Sequence, residues 1–170
     1  MIDRNVVLTG FMGTGKTTVG RVLAAELGYE FVDTDGAIEA RHGPIPEIFA
    51  ERGEGEFRSF ERGVAAELAD RSGLVVATGG RMMVDAVNAR VLSATGDVFC
   101  LVATVDTILE RVAEGGDAAS RPMLAGDDVR ERVERLLAER ADSYGTFRAV
   151  VTDGRGPAEI ASEIVALVRS

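Results

Sequence analysis

The stretch "GFMGTGKTTVG", residues 10–20, decides the fold. Gly10, Gly15, Lys16 and Thr17 occupy the fixed positions of a glycine, four free residues, then Gly-Lys-Ser/Thr. Before it, the apolar run "NVVLTG" (5–10) reads as a strand. After it, Val19, Val22, Leu23 and Leu27 share one helical face until Gly28 stops the helix. A strand, a glycine turn and a helix in that order form a phosphate-binding loop. The glycines let backbone amides curl around phosphate oxygens, and the helix N-terminus adds its positive end. In this reading Gly13, Thr14, Gly15, Lys16, Thr17 and Thr18 bind the phosphates of a nucleotide. Lys16 places a compact ammonium on the β- and γ-phosphates, and the Thr17 hydroxyl ligates Mg2+.

The basic residues support this assignment. The chain has 19 of them, and every one but Lys16 is arginine. A planar guanidinium is a poor substitute for a point charge among phosphates, which accounts for the retained lysine.

The remaining composition narrows the class. A chain of 170 residues fits one domain able to bury a core without disulfides or metals. The net charge of −9 argues against a nucleic-acid partner. No apolar run approaches the length that spans a bilayer, and the N-terminus "MIDRNVVLTG" shows no secretory signal. Cys100 lies in the run "DVFCLVA" and reads as a buried strand residue, outside any disulfide or metal site. A cytoplasmic, monomeric protein acting on a small molecule is expected, without membrane or nucleic-acid partner.

Strands and helices alternate along the chain. "YEFVDTD" (29–35), "LVVATGG" (74–80), "DVFCLVAT" (97–104) and "FRAVVTD" (147–153) read as further strands. Helices are predicted from Glu47 to Ala69 with a break near Gly53 and Gly55, and over about 84–94, 105–114, 127–141 and 157–169. Wholly apolar strands between amphipathic helices imply an α/β fold with a parallel sheet covered on both faces. The segment 114–128, "EGGDAASRPMLAGDD", reads as a loop that moves.

Two further clusters carry chemistry. Asp33 and Asp35 lie two apart, and in an extended segment they would point the same way at the carboxyl edge of the sheet. One would hold the water shell of magnesium while the other accepts hydrogen bonds from an acceptor hydroxyl. The competing reading is an acidic helix cap formed by Asp35. Arg58 and Glu61 stand one helical turn apart, either as an arginine aimed into a pocket and steadied by Glu61 or as a surface pair.

Taken together, "GFMGTGKTTVGRVLA", "FVDTDGAIE", "IFAERGEGEFRSFE", "ATGG", "RPMLAG" and "AERADSY" resemble the shikimate kinases, small P-loop kinases related in fold to nucleoside monophosphate kinases. The resemblance spans nearly the whole chain. It implies one domain over 1–170 built on a five-stranded parallel sheet of order 2-3-1-4-5 flanked by helices. Residues 33–62 would form the acceptor region and 114–128 the lid. The implied reaction is ATP-dependent phosphorylation of the 3-hydroxyl of shikimate. Asp33 would help hold Mg2+, and Asp35 would bind the acceptor's hydroxyls and take the proton. Arg58 and Arg140 would hold its carboxylate, with Gly79 and Gly80 against its ring. Arg121 would be the lid arginine over ATP, with Arg111 and Arg155 toward the base.

The chain departs from the family pattern on the acceptor side. Arg81 stands where a third glycine is usual, Asp142 replaces a proline before Tyr144, and "GTFRAVVTD" lacks the usual polar residue and alanine. A kinase of another polyhydroxy acid such as gluconate, or a non-catalytic ATP-binding regulatory domain, are the alternatives. Arg81 either adds a third cation to the acceptor pocket or points outward at its rim, the placement expected here. A positive φ at that position would add strain. His42 is expected at the surface, and Met82 and Met83 beneath the turn.

Overall fold

A computed structural model describes residues 4–115 and 128–170. Arg121 and nearly all of the expected lid segment lie outside the described residues. The strands are β1 (Asn5–Gly10), β2 (Glu30–Asp33), β3 (Leu74–Ala77), β4 (Gly96–Val102) and β5 (Arg148–Val151). The helices are α1 (Lys16–Leu27), α2 (Thr34–His42), α3 (Ile45–Arg52), α4 (Glu54–Ala69), α5 (Ala86–Thr95), α6 (Val105–Glu114), α7 (Val129–Tyr144) and α8 (Pro157–Arg169). A single 3-10 turn, Met82–Val84, precedes α5.

All sheet pairings are parallel and the strand order is β2-β3-β1-β4-β5, as the resemblance implied. The chain first runs from β1 to the β2 edge and later crosses from β3 past β1 to β4, so the winding reverses at β1. A crevice opens at the carboxyl ends of strands at such a switch point, and the glycine-rich loop follows β1 there.

Strand alternation sorts the core. Val6 and Leu8 of β1, Val75 of β3, and Phe99 and Leu101 of β4 face α1 and α8, meeting Leu23, Ile160 and Ile164. Val7, Leu74 and Val76 face the other way, onto Ile38, Phe57, Val64, Leu68, Met82 and Met83. Every residue of β1 is buried, which explains the apolar run Val6–Leu8 at its centre. A third cluster joins Phe11, Cys100, Ile108, Val133 and Tyr144 beneath the far side of the crevice. Burial raises the Cys100 thiol pKa to about 11, leaving it an unreactive packing residue.

The sequence expectations change at a few boundaries. The second strand, expected over 29–35, ends at Asp33, and Thr34 already begins α2. Asp33 and Asp35 are therefore not two residues of one extended segment. Asp33 is itself the cap: its Oδ1 accepts from the amides of Asp35 (3.0 Å) and Gly36 (3.2 Å). An aspartate cap stabilises a helix by about 1 kcal/mol, and local capping here ends the strand early. The long helix after Pro46 breaks at Gly53 into α3 and α4. Helix α7 runs past the expected end to Tyr144, with Asp142 exposed within it. His42 is half-buried, its ring stacked on Phe60 at 3.6 Å.

Candidate active site

The phosphate loop connects β1 to α1. Gly15, at φ 96°, stands at the N-cap of α1, and its left-handed backbone turns the chain into the helix without a Cβ clash. Thr14 is buried and donates its hydroxyl to Phe11 O at 2.7 Å, so its side chain shapes the loop from within. Lys16 folds back over the loop, donating Nζ to Gly10 O (2.6 Å) and Phe11 O (3.1 Å). Desolvation lowers its pKa to about 8 against the opposing pull of Asp35, while Arg140 lowers it further. Thr17 and Thr18 are exposed at the first turn of α1. The Thr17 hydroxyl lies 3.4 Å from Asp33 Oδ2, the carboxylate oxygen that the α2 cap leaves free.

Two arginines expected at the nucleotide lie near the end of β5. Arg111 donates to Gly13 O (3.2 Å), Thr14 O (3.3 Å), Thr152 Oγ1 (2.9 Å) and Thr152 O (2.9 Å). It ties the phosphate loop to the residue following β5. Arg155 pairs with Glu159 (2.9 Å) and Glu163 (2.6 Å) of α8 and donates to Val151 O.

Asp35 stands in the first turn of α2, beside the turn that follows β3. Burial raises its pKa to about 6, reinforced by the charges of Asp33 and Glu61 and opposed by Lys16. A Cβ at Gly79 would approach Asp35 Oδ1 to 2.5 Å, so the carboxylate lies directly against the glycine. The Gly79 amide is fixed by Thr34 Oγ1 at 2.9 Å. Gly79→Ala is therefore expected to lower kcat/KM for the acceptor by about tenfold, since overpacking of this size costs about 1–3 kcal/mol. Steady-state kinetics with a varied acceptor measure the change, and an unchanged value would mean Asp35 yields freely.

On the other side of the same turn stands Arg140, only 3% exposed. Its Nη1 reaches Gly80 O at 3.3 Å, and its guanidinium lies 5.1 Å over the Phe11 ring. The hydroxyl of Tyr144, one turn further along α7, donates to Gly80 O at 2.6 Å. Arg140 Nη2 is buried and has no hydrogen-bond partner among the described residues. Such a group carries the cost of a missing hydrogen bond.

Arg58 projects from α4 and is held by the buried Glu61 at 2.6 Å, so the pair is anchored in the interior at its glutamate end and is not a fully exposed surface pair. Glu61 is buried; that raises its pKa, and the ion pair to Arg58 opposes the shift. Arg81 follows the turn with φ −111°, an ordinary value, so the substitution carries no backbone strain. Its side chain is 49% exposed at the rim and pairs with Glu54 at 3.3 Å.

The sequence reading assigned no role to three contributors. Thr34 gives no signal beyond being a hydroxyl residue before Asp35. Glu54 and Tyr144 were legible as i,i+4 partners of Arg58 and Arg140, provided both helices were drawn to their full length.

The family model for shikimate kinase matches residues 12–169. The chain is 38% identical to the shikimate kinase of Thermodesulfovibrio yellowstonii over 164 residues, covering 95% of this chain and 93% of that one. With the shikimate kinase of Halorhodospira halophila the identity is 45% over 152 residues, 89% and 84% of the two chains. The structure of shikimate kinase from Acinetobacter baumannii in complex with shikimate superposes with a TM-score of 0.90 at 37% identity, covering 98% of this chain and 93% of that one. The family model covering most of the chain and identities of 38% and 45% to these relatives show that the chain belongs to the shikimate kinase family.

Proposed function

We propose that the chain transfers the γ-phosphoryl group of ATP to the 3-hydroxyl of shikimate, giving shikimate 3-phosphate and ADP on the route to aromatic amino acids. The observation that carries this acceptor is the buried Arg140, whose Nη2 lacks a partner among the described residues while Asp35 stands across the Gly79–Gly80 turn. A cation on one side of a bare backbone ledge and a base on the other suit a ring bearing a carboxylate and hydroxyls. Arg58, aimed by Glu61, supplies the second cation for the carboxylate.

In the transfer, the 3-hydroxyl oxygen bonds to the γ-phosphorus as the bond to the β–γ bridging oxygen breaks. Asp35 receives the hydroxyl proton. With its pKa near 6 it is largely ionised at neutral pH yet basic enough to accept. Lys16 and the amides from Gly13 to Thr18 hold the phosphates in line, and Arg121 would stabilise charge on the transferring phosphoryl group. Arg111 braces the loop from behind, and Arg155 borders the base side. Thr17 and Asp33 offer hard oxygens at the loop mouth, a donor set that fits a Mg2+ ion retaining most of its waters. That ion would neutralise charge on the β- and γ-phosphates. Segments 33–62 and 114–128 act as acceptor region and lid of a single domain, in a cytoplasmic monomer. No helix among the described residues is long and apolar enough to cross a membrane.

A coupled assay of ATP consumption with shikimate, gluconate and related hydroxy acids tests the reading. Turnover with shikimate well above the others is expected. ATP binding with no turnover on any acceptor would overturn the kinase assignment, and activity on gluconate alone would move the acceptor. Arg58→Ala is expected to raise the acceptor KM by about tenfold while leaving the KM for ATP unchanged, because a charged hydrogen bond is worth about 1.5–3 kcal/mol. Loss of ATP affinity with normal acceptor use would reassign α4.

A further inference from the structure

Arg81, in place of a third glycine, connects to the acceptor site through one oxygen atom. Glu54 Oε1 accepts from Arg58 Nη2 (3.1 Å), from Arg58 Nε (3.4 Å) and from Arg81 Nη1 (3.3 Å). Arg58 thus has two carboxylate partners. Its Nη1 is committed to the buried Glu61, and its Nε–Nη2 edge to the exposed Glu54. That second edge is the one left for an acceptor carboxylate, so Glu54 competes with the acceptor for it. The electrostatic reach of Arg81 extends to the pocket itself, since its charge lowers the pKa of both Glu61 and Tyr144.

We infer that Arg81 is a positioning residue for the acceptor, drawing Glu54 off Arg58 when the acceptor's carboxylate binds. This rests on the reading of Arg58 as a carboxylate-binding residue. Without Arg81, Glu54 has no second cation among the described residues and stays on Arg58. With it, the shared oxygen transfers from one guanidinium to the other with little motion, and no carboxylate is left without a cation. The bridge also links the start of α4 to the turn after β3, the two elements that enclose the acceptor.

The test is a double-mutant cycle of Arg81→Ala and Glu54→Gln, with Arg81→Lys as the conservative variant. Alanine keeps the Cβ, so the turn gains no glycine flexibility. Arg81→Ala is expected to raise the KM for shikimate about three- to fivefold, the effect of losing one exposed ion pair, with kcat and the KM for ATP unchanged. Arg81→Lys should restore most of that KM. In the Glu54→Gln background, where no charge competes for Arg58, the Arg81→Ala change should have almost no effect. An equal KM increase in both backgrounds would overturn the inference and make Arg81 a direct third cation for the acceptor. An unchanged KM in the parent background, or a fall in kcat alone, would overturn it as well. Wild-type turnover of shikimate is established first by the acceptor panel, so failure of the acceptor assignment appears there and failure of the handover only in the cycle.

Discussion

Lys16→Ala is expected to reduce kcat by about a thousandfold or more, the scale of losing a preorganised cation from a site of charge development. The structure shows why no neighbour can substitute. Lys16 is the only lysine in the chain, and its ammonium is aimed by two loop carbonyls, Gly10 O and Phe11 O. Arg111, beside the same loop, already spends its guanidinium on loop carbonyls and Thr152. Unfolding is not the expected cause of the loss. Folding lowers the Lys16 pKa from 10.5 to about 8, so between those values the unfolded chain binds the extra proton and stability rises with pH. At neutral pH the charged lysine therefore costs the folded state free energy, and the alanine variant should melt no lower than its parent. The coupled assay together with a thermal melt checks both halves. Near-normal turnover would place the phosphate site elsewhere.

Lys16 also shows what a sequence makes legible. Its loop is specified by consecutive residues, and the strand and helix around it follow from uninterrupted apolar and 3.6-residue patterns. The helices at 105–114 and 157–169 stand where they were expected, and so does the strand that ends at Gly10. The acceptor side was less legible because it is assembled across the chain. Asp35 meets Gly79, and Arg140 meets Gly80 and Phe11. No spacing rule links those positions; their juxtaposition came only from the family resemblance. The misread stretch was "FVDTD", where a local choice outweighed strand periodicity. Once Asp33 caps α2, the chain turns at Thr34, and Asp35 enters the site from a helix. The consequence is chemical as well as geometric. A cap spends one Asp33 oxygen on amides and leaves the other toward Thr17, while the Asp35 carboxylate lies against Gly79.

That division of labour between two carboxylates predicts opposite effects on stability and rate for one substitution. Asp35→Asn is expected to lower kcat by about a hundred- to thousandfold, the contribution of a positioned general base. The same change should stabilise the protein at pH 8. Burial raises the Asp35 pKa from 3.8 to about 6, so between those values the folded protein holds a proton that the unfolded chain has lost. Its contribution to stability is complete below pH 3.8 and disappears as pH rises through 6; above that, the buried charge costs on the order of 1–3 kcal/mol. Asparagine removes the charge, so its melting temperature should exceed the parent's at pH 8 and converge with it toward pH 4. The rate should carry the same signature. In the parent, log kcat/KM for the acceptor should climb with pH and level off above about 6, as the base loses its proton. The asparagine variant should lack that limb. A variant that melts lower at pH 8 would show that Asp35 is held by contacts rather than strained by burial. One that retains both near-normal kcat and the acidic limb would assign the proton to another group. Slow turnover in a more stable protein is the combination that a folding defect cannot produce, and it would mark Asp35 as a residue kept for catalysis at the expense of the fold.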